Sequence, residues 1–230
     1  MNTLILLPGA LGNVNQFNSL KQELSLVQAN VITLDLPGHG FNPYATEAVT
    51  VPEIAEAFLN QLHELEISGP IQLFGHSLGG YIGLYLCLHH PEKITGLFTL
   101  GTKWHWTKEI ADKETSFLVP EKMEQKIPVF VNHLKISHSI GWQKVVINIA
   151  DLMHDLGNNG YLEPAKLRTI NQQVRVALGD RDAMVGLDET INVYKALPNA
   201  QLQVYPNTPH PFEKSDVVRL AADIKSFFNL

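Results

Sequence analysis

The sequence predicts an α/β fold: a mostly parallel central sheet with helices on both faces. Three observations carry this. Short apolar runs recur along the 230 residues, each followed by a glycine-rich turn. Segments of helical period separate them, and strands alternating with helices imply βαβ units and a parallel sheet. One long interval breaks the rhythm, with helical patterns and no clear strand.

The runs, in order, are "TLILLPG", "NVITLDLPGHG", "IQLFGHS", "ITGLFTLGT", "VRVALGD" and "LQVYPNT". Runs so apolar suit strands buried on both faces. From Glu53 to Ile67 the residues Ile54, Ala57, Phe58, Leu62 and Leu65 mark one helix face. From Ser215 to Phe228 the stripe is Val217, Leu220, Ala221, Ile224, Phe227 and Phe228, with Ser215 as the expected N-cap. In the exceptional interval one helix is expected from Pro120 to about His138, kinked or broken at Pro128. Another runs from Gly141 to Leu156, with Trp142, Val145, Val146, Ile149, Leu152, Met153 and Leu156 on one face. Ordinary crossovers are much shorter. The expected division is therefore a core of residues 1–102 and 171–230 with a helical insertion at 103–170, lying over one end of the sheet.

Composition bounds the function. With 45% apolar and 17% charged residues the chain can bury a core. Lys plus Arg is 17 against 23 Asp plus Glu, a net charge of −6 with no basic stripe, which argues against nucleic acid as a main partner. Cys87 is the only cysteine, so no intrachain disulfide or cysteine-based metal site is expected, and a reducing compartment fits. The start, "MNTLILLPGALGN", lacks the charged region and long apolar run of a secretory signal. No stretch approaches a membrane span. A cytoplasmic protein is expected; the sequence does not speak to its oligomeric state.

Gly75-His76-Ser77-Leu78-Gly79 matches G-x-S-x-G between a strand and a helix. A chain turning at once from strand to helix needs small residues around the turn, and Gly75 and Gly79 supply them. Ser77 then sits in a strained conformation that lifts its hydroxyl out of the sheet edge. A serine hydroxyl needs a base, and the base needs a third group to hold it. Those partners belong in loops after other strands, at the same sheet edge. Gly179-Asp180-Arg181-Asp182 follows one strand and "PNTPHPF" follows the next, offering two aspartates and His210.

The other histidines have plainer readings. His39 orders its own "PGHG" loop, His63 lies on a helix surface, and His89 and His90 end the helix after the serine. His76 is expected to point away from the site. His105, His133, His138 and His154 fall in the insertion, facing either a pocket or water. An oxyanion hole needs backbone N–H groups near Ser77. Leu78 supplies one at the helix start, and Ala10, after Gly9 in "LPGALGN", is the natural second.

Taken together, "LLPGALGN", "DLPGHG", "FGHSLGG", "LGDRD" and "PNTPH" resemble the α/β-hydrolase superfamily over essentially the whole chain. The resemblance implies the α/β-hydrolase fold, with Ser77 as nucleophile, Asp182 rather than Asp180 as the acid, His210 as base and the insertion as a helical cap. Asp180 is then expected to shape its turn or pair with Arg181. Three departures from the family pattern stand out: Pro8-Gly9 where His-Gly is frequent, Asn42 where serine is common, and Pro209 and Pro211 around His210.

The implied reaction is hydrolysis of a carboxylic ester or thioester of a small to medium apolar substrate, through an acyl-enzyme. Trp104, Trp106, Phe130 and Trp142, with Phe117 and Leu118, are the candidate substrate-binding surface, or simply pack the cap. No cofactor and no metal are expected, since neither a dinucleotide fingerprint nor a metal cluster is evident. The partner is a small-molecule substrate. A lyase or C–C bond hydrolase with the same three residues, menaquinone-pathway synthases of this fold included, remains an alternative. So does a ligand-binding receptor. A polyanionic substrate calls for basic residues, of which Lys103 is the obvious one.

Overall fold

The computed structural model describes residues 2–42, 47 and 49–230. Among these residues six strands form one sheet: β1 (Asn2–Leu7), β2 (Ala29–Thr33), β3 (Ile71–His76), β4 (Ile94–Leu100), β5 (Gln173–Gly179) and β6 (Ala200–Tyr205). The order across it is β2-β1-β3-β4-β5-β6, and every neighbouring pair runs parallel. Each predicted apolar run is one of these strands. The expectation of burial on both faces holds for the inner strands only. Edge strands β2 and β6 have one neighbour each and stay largely half-exposed.

Among the described residues ten helices accompany the sheet: α1 (Asn18–Glu23), α2 (Val51–Glu64), α3 (Leu78–His89), α4 (Lys108–Thr115), α5 (Pro120–Lys126), α6 (Pro128–Ser137), α7 (Trp142–Asn158), α8 (Pro164–Leu167), α9 (Leu187–Ala196) and α10 (Val217–Phe228). On one face α2, α3 and α9 bury Phe58, Ile82 and Val193 against β1, β3 and β5. The opposite face buries Leu20 of α1 with Leu220, Ile224 and Phe228 of α10.

Helix ends follow capping chemistry. At the start of α2, Thr50 Oγ1 accepts from Glu53 N–H at 3.3 Å, and Glu53 Oε2 accepts from Thr50 N–H at 3.0 Å. This reciprocal box is spelled in the sequence as T-V-P-E. The expected Ser215 cap of α10 is displaced by one residue: Asp216 Oδ1 accepts from Arg219 N–H at 3.1 Å. Either side chain can cap; Ser215 is taken up in closing the 3₁₀ turn at Phe212–Lys214.

Five helices, α4 to α8, lie between β4 and β5. The break near Pro128 falls at Ile127, between α5 and α6. Helix α4 has no counterpart in the sequence reading, because Ala111 is its only buried residue and it carries no apolar stripe. Helix α7 packs two ways. Ile149, Leu152 and Leu156 join the main core, while Trp142 and Val146 form a small separate core with Met123, Val131 and Leu134. Among the described residues no helix is long and apolar enough to cross a membrane.

The chain leaves β1 outward to β2, then returns past β1 to β3. At such a reversal the loops after β1 and β3 diverge and leave a crevice beyond the strand ends. Pro8 to Gly12 and Ser77 stand there.

Candidate active site

Ser77 is the single residue between β3 and α3, with φ 50° and ψ −116°. A side chain in such a conformation costs about 1–3 kcal/mol and persists only where its surroundings over-determine it. Here they do. Ser77 N–H donates to Leu100 O at 2.9 Å, and its carbonyl accepts from Gly80 N–H at 3.0 Å and Thr102 Oγ1 at 3.0 Å. Close packing explains the flanking glycine: a Cβ on Gly79 would lie 2.5 Å from Leu7 O and 2.7 Å from Pro8 O.

Asp182 and His210 meet at the same edge, from the loops after β5 and β6. His210 Nδ1 lies 2.8 Å from Asp182 Oδ2, with side chains 15% and 2% exposed. The other carboxylate oxygen accepts from Met184 N–H at 2.8 Å and Val185 N–H at 2.9 Å. Burial pushes the Asp182 carboxyl up, but the imidazole and the two N–H donors outweigh it and hold the group below its ordinary value. With Nδ1–H donated to Asp182, the neutral ring presents an unprotonated Nε2. Ser77 and His210 line one cavity, and among the described residues no hydrogen bond joins them. Asp180 shapes the neighbouring turn, accepting from Thr208 N–H at 3.3 Å.

The sequence assigns no role to one residue here and misplaces another. Gly101, at φ 62°, passes so close that a Cβ would lie 3.2 Å from Asp182 Oδ2. Its signal was a glycine directly after β4, in "TLGT". His76 does not point away as expected. Its Nε2 lies 3.1 Å from His210 O, and its ring 5.3 Å from the His210 ring. Burial lowers its pKa to about 3, so it stays neutral and Nε2–H donates to that carbonyl.

The loop after β1 lies against the serine: a Cβ on Gly9 would be 2.9 Å from Ser77 Cβ. Ala10 and Leu78 both line the cavity. Leu78 opens α3, where a backbone N–H has no intrahelical acceptor and the helix dipole favours negative charge. The constellation can therefore hold a base beside a serine and offer N–H groups to an oxyanion.

The cavity encloses about 750 Å³. Its apolar wall includes Leu118, Phe130, Ile149, Leu152, Met153 and Leu156, so the helices between β4 and β5 supply much of it. Trp106 and Phe130 line it. Trp104 and Trp142 do not, correcting the expectation for both. Trp104 stacks on Tyr81 at 6.2 Å in the main core, and Trp142 fills the small core beneath α5 and α6. Periodicity placed Trp142 on a buried face, and Trp104 was a candidate only as an apolar ring of the insertion; cavity and core are equally apolar. Lys103 reaches the cavity with its ammonium committed, donating to Met184 O at 3.1 Å and lying 4.0 Å from Glu114. Among the described residues no group of three or more His, Cys, Asp or Glu is placed to hold a metal.

Comparison with known proteins agrees with this architecture. The profile of the alpha/beta hydrolase fold family matches residues 2–125. A mouse sn-1-specific diacylglycerol lipase is 23% identical over 242 aligned residues, covering 90% of this chain and 74% of that one. A pimeloyl-acyl-carrier-protein methyl ester esterase of Neisseria meningitidis is 39% identical over 67 residues, covering 29% of this chain and 24% of the esterase. That match thus spans about a quarter of the curated relative. Among solved structures, a thermophilic esterase from Thermogutta terrifontis superposes with a TM-score of 0.75 at 18% identity, covering 100% of this chain and 90% of that one. At that identity the likeness is one of fold.

Proposed function

The chain belongs to the alpha/beta hydrolase fold family of enzymes, and from that premise we propose that it is a serine hydrolase acting on carboxylic esters or thioesters of small to medium apolar acids. The observation that carries the reading is the His210–Asp182 contact of 2.8 Å together with a serine held at φ 50°, with Ser77 and His210 lining one apolar cavity. His210 takes the proton as Ser77 attacks the carbonyl, and Asp182 orients the ring and stabilises the imidazolium. The Ala10 and Leu78 N–H groups receive the oxyanion. Collapse of the tetrahedral species expels the alcohol or thiol, protonated by His210. Water activated by the same ring then releases the acid and restores Ser77.

We assign the segment 103–170 as a cap that selects the substrate, because its residues supply much of the apolar wall. The names of two relatives, a methyl ester esterase and a diacylglycerol lipase, support ester chemistry. A polyanionic substrate fits poorly, since Lys103 is engaged and Glu114 and Glu213 also face the cavity. The test is labelling with a fluorophosphonate, the adduct located by mass spectrometry. The adduct is expected on Ser77 and absent from Ser77→Ala and His210→Ala. Folded protein that stays unlabelled would overturn the reading.

A further inference from the structure

The loop that carries Ala10 is restrained from the helical segment by a residue that touches neither the cavity nor the serine. Gly9 to Gly12 form a tight turn, closed by Gly12 N–H donating to Gly9 O at 3.1 Å, with Leu11 at φ 60°. Such turns favour glycine where φ is positive, so a leucine there needs an external restraint.

That restraint is His138, directly after α6 and buried at 4% exposure. Gly40 N–H donates to its Nδ1 at 2.8 Å. A backbone amide can only donate, so Nδ1 is the unprotonated nitrogen and the neutral ring carries its proton on Nε2. Nε2 lies 3.2 Å from Leu11 O and donates to it. One imidazole thus joins three segments that are 98 and 127 residues apart in sequence. Ser139 N–H donates to Gly40 O at 2.8 Å, so the contact with the Gly40 loop survives without the ring.

We propose that His138 is a positioning residue for the oxyanion loop: its Nε2–H holds the Leu11–Gly12 peptide, whose N–H is bonded to Gly9 O, and so keeps the Ala10 N–H of the Gly9–Ala10 peptide directed at Ser77. The inference rests on the serine-hydrolase reading above. His138 must be neutral to do this, because a protonated ring would set Nδ1–H against Gly40 N–H. Its surroundings keep it so. Burial lowers its pKa, outweighing the opposite effect of the Leu11 bond, and His133 on α6 lowers it further; its ring neighbour His39, 5.9 Å away, is itself buried with a pKa of about 4 and adds no counter-charge. The Asp35 carboxylate braces the same loops independently, accepting from Val14 N–H at 2.7 Å and Phe41 N–H at 3.1 Å.

Two substitutions separate the two hydrogen bonds. His138→Asn keeps an acceptor at the Nδ1 position and loses the reach to Leu11. His138→Gln places an amide donor where Nε2 stood. The readouts are the second-order rate of fluorophosphonate labelling, and kcat and KM for p-nitrophenyl butyrate. In His138→Asn the labelling rate and kcat are expected to fall about tenfold with KM unchanged, a part of the hundredfold or more lost when an oxyanion donor is removed outright. His138→Gln is expected to restore most of that loss. Wild-type rates in His138→Asn, a loss carried by KM, or no rescue by Gln would overturn the proposal. Should His138→Asn fail to fold, nitrogen NMR of the wild-type ring decides: the Nε2–H tautomer supports the role and the Nδ1–H tautomer ends it. Ser77→Ala run alongside separates the failures. Activity surviving there removes the serine-hydrolase reading and this inference with it, whereas an inert Ser77→Ala beside an unaffected His138→Asn removes the positioning role alone.

Discussion

The sheet edge that gathers Ser77, Asp182 and His210 and the helices between β4 and β5 are encoded by different physics. At the edge, backbone geometry leaves little choice of residue. Ser77 needs close-packed glycine beside it, Asp182 needs N–H donors at one oxygen and an imidazole at the other, and Gly101 must clear both. In the helices, an apolar residue is satisfied by any apolar neighbour. Trp142 inside the small core and Trp106 on the cavity wall meet the same requirement with different consequences. Chemistry that depends on backbone constraint can be read from sequence, whereas substrate choice depends on which helix faces happen to meet.

The largest expected effects test the edge. Ser77→Ala should lower ester turnover by about 10⁶-fold, as removal of a nucleophile in such a constellation does. Its melting temperature should hold or rise, since the hydroxyl makes no hydrogen bond to His210. Turnover that survives would move the reaction off this edge altogether. Asp182→Asn should cost about 10⁴-fold in kcat with the fold intact, by presenting His210 with the wrong partner and tautomer. A loss of tenfold or less would mean that the Met184 and Val185 donors, not the imidazole, are what Asp182 serves.

The same contrast explains what was legible. All six strands were visible as apolar runs, although only the four inner ones are buried on both faces and the edge strands β2 and β6 stay half-exposed. The pieces of the site were visible because each follows a strand. The aspartates were not separable by spacing alone; resemblance pointed to Asp182, and the fold sets Asp180 against Thr208 N–H. Helix α4 was invisible, with one buried residue and no periodic stripe. His138 was seen only as a histidine in the insertion. Its partners are backbone groups of Leu11 and Gly40, and a contact with a distant backbone leaves no trace in residue type.

In the helical segment the expected losses are of stability. Trp142→Ala empties the small core shared by α5, α6 and α7 and should cost about 3–5 kcal/mol in denaturant unfolding. KM for short esters should not change. A rise in KM without loss of stability would return Trp142 to the cavity wall.

Acid tests the edge again, at smaller scale. His39 and His76 are buried and neutral, with pKa values of about 4 and about 3 against about 6.5 in an unfolded chain. The unfolded state therefore binds more protons below pH 6.5, so stability contributed by these rings is full above that pH and lost as pH falls toward the folded values. Each ring should cost about 2 kcal/mol of stability by pH 5. Urea unfolding of wild type and His39→Gln at pH 7 and pH 5 measures it; equal acid losses in the two proteins would place the sensitivity elsewhere.

The smallest effect is the one that bears on substrate choice. Phe130 lines the cavity and is 41% exposed, so truncation removes little core contact. Phe130→Ala should cost well under 1 kcal/mol in unfolding, yet raise KM for a medium-chain p-nitrophenyl ester about fivefold, equivalent to ~1 kcal/mol of lost apolar contact. The acetyl ester, too short to reach α6, should show no change, and kcat should hold for both. An equal rise in KM for both esters would mean that Phe130 shapes the cavity mouth. A rise confined to the longer ester would make α6 the helix that measures acyl length, and would locate specificity in a ring whose neighbours, not its type, decide what it does.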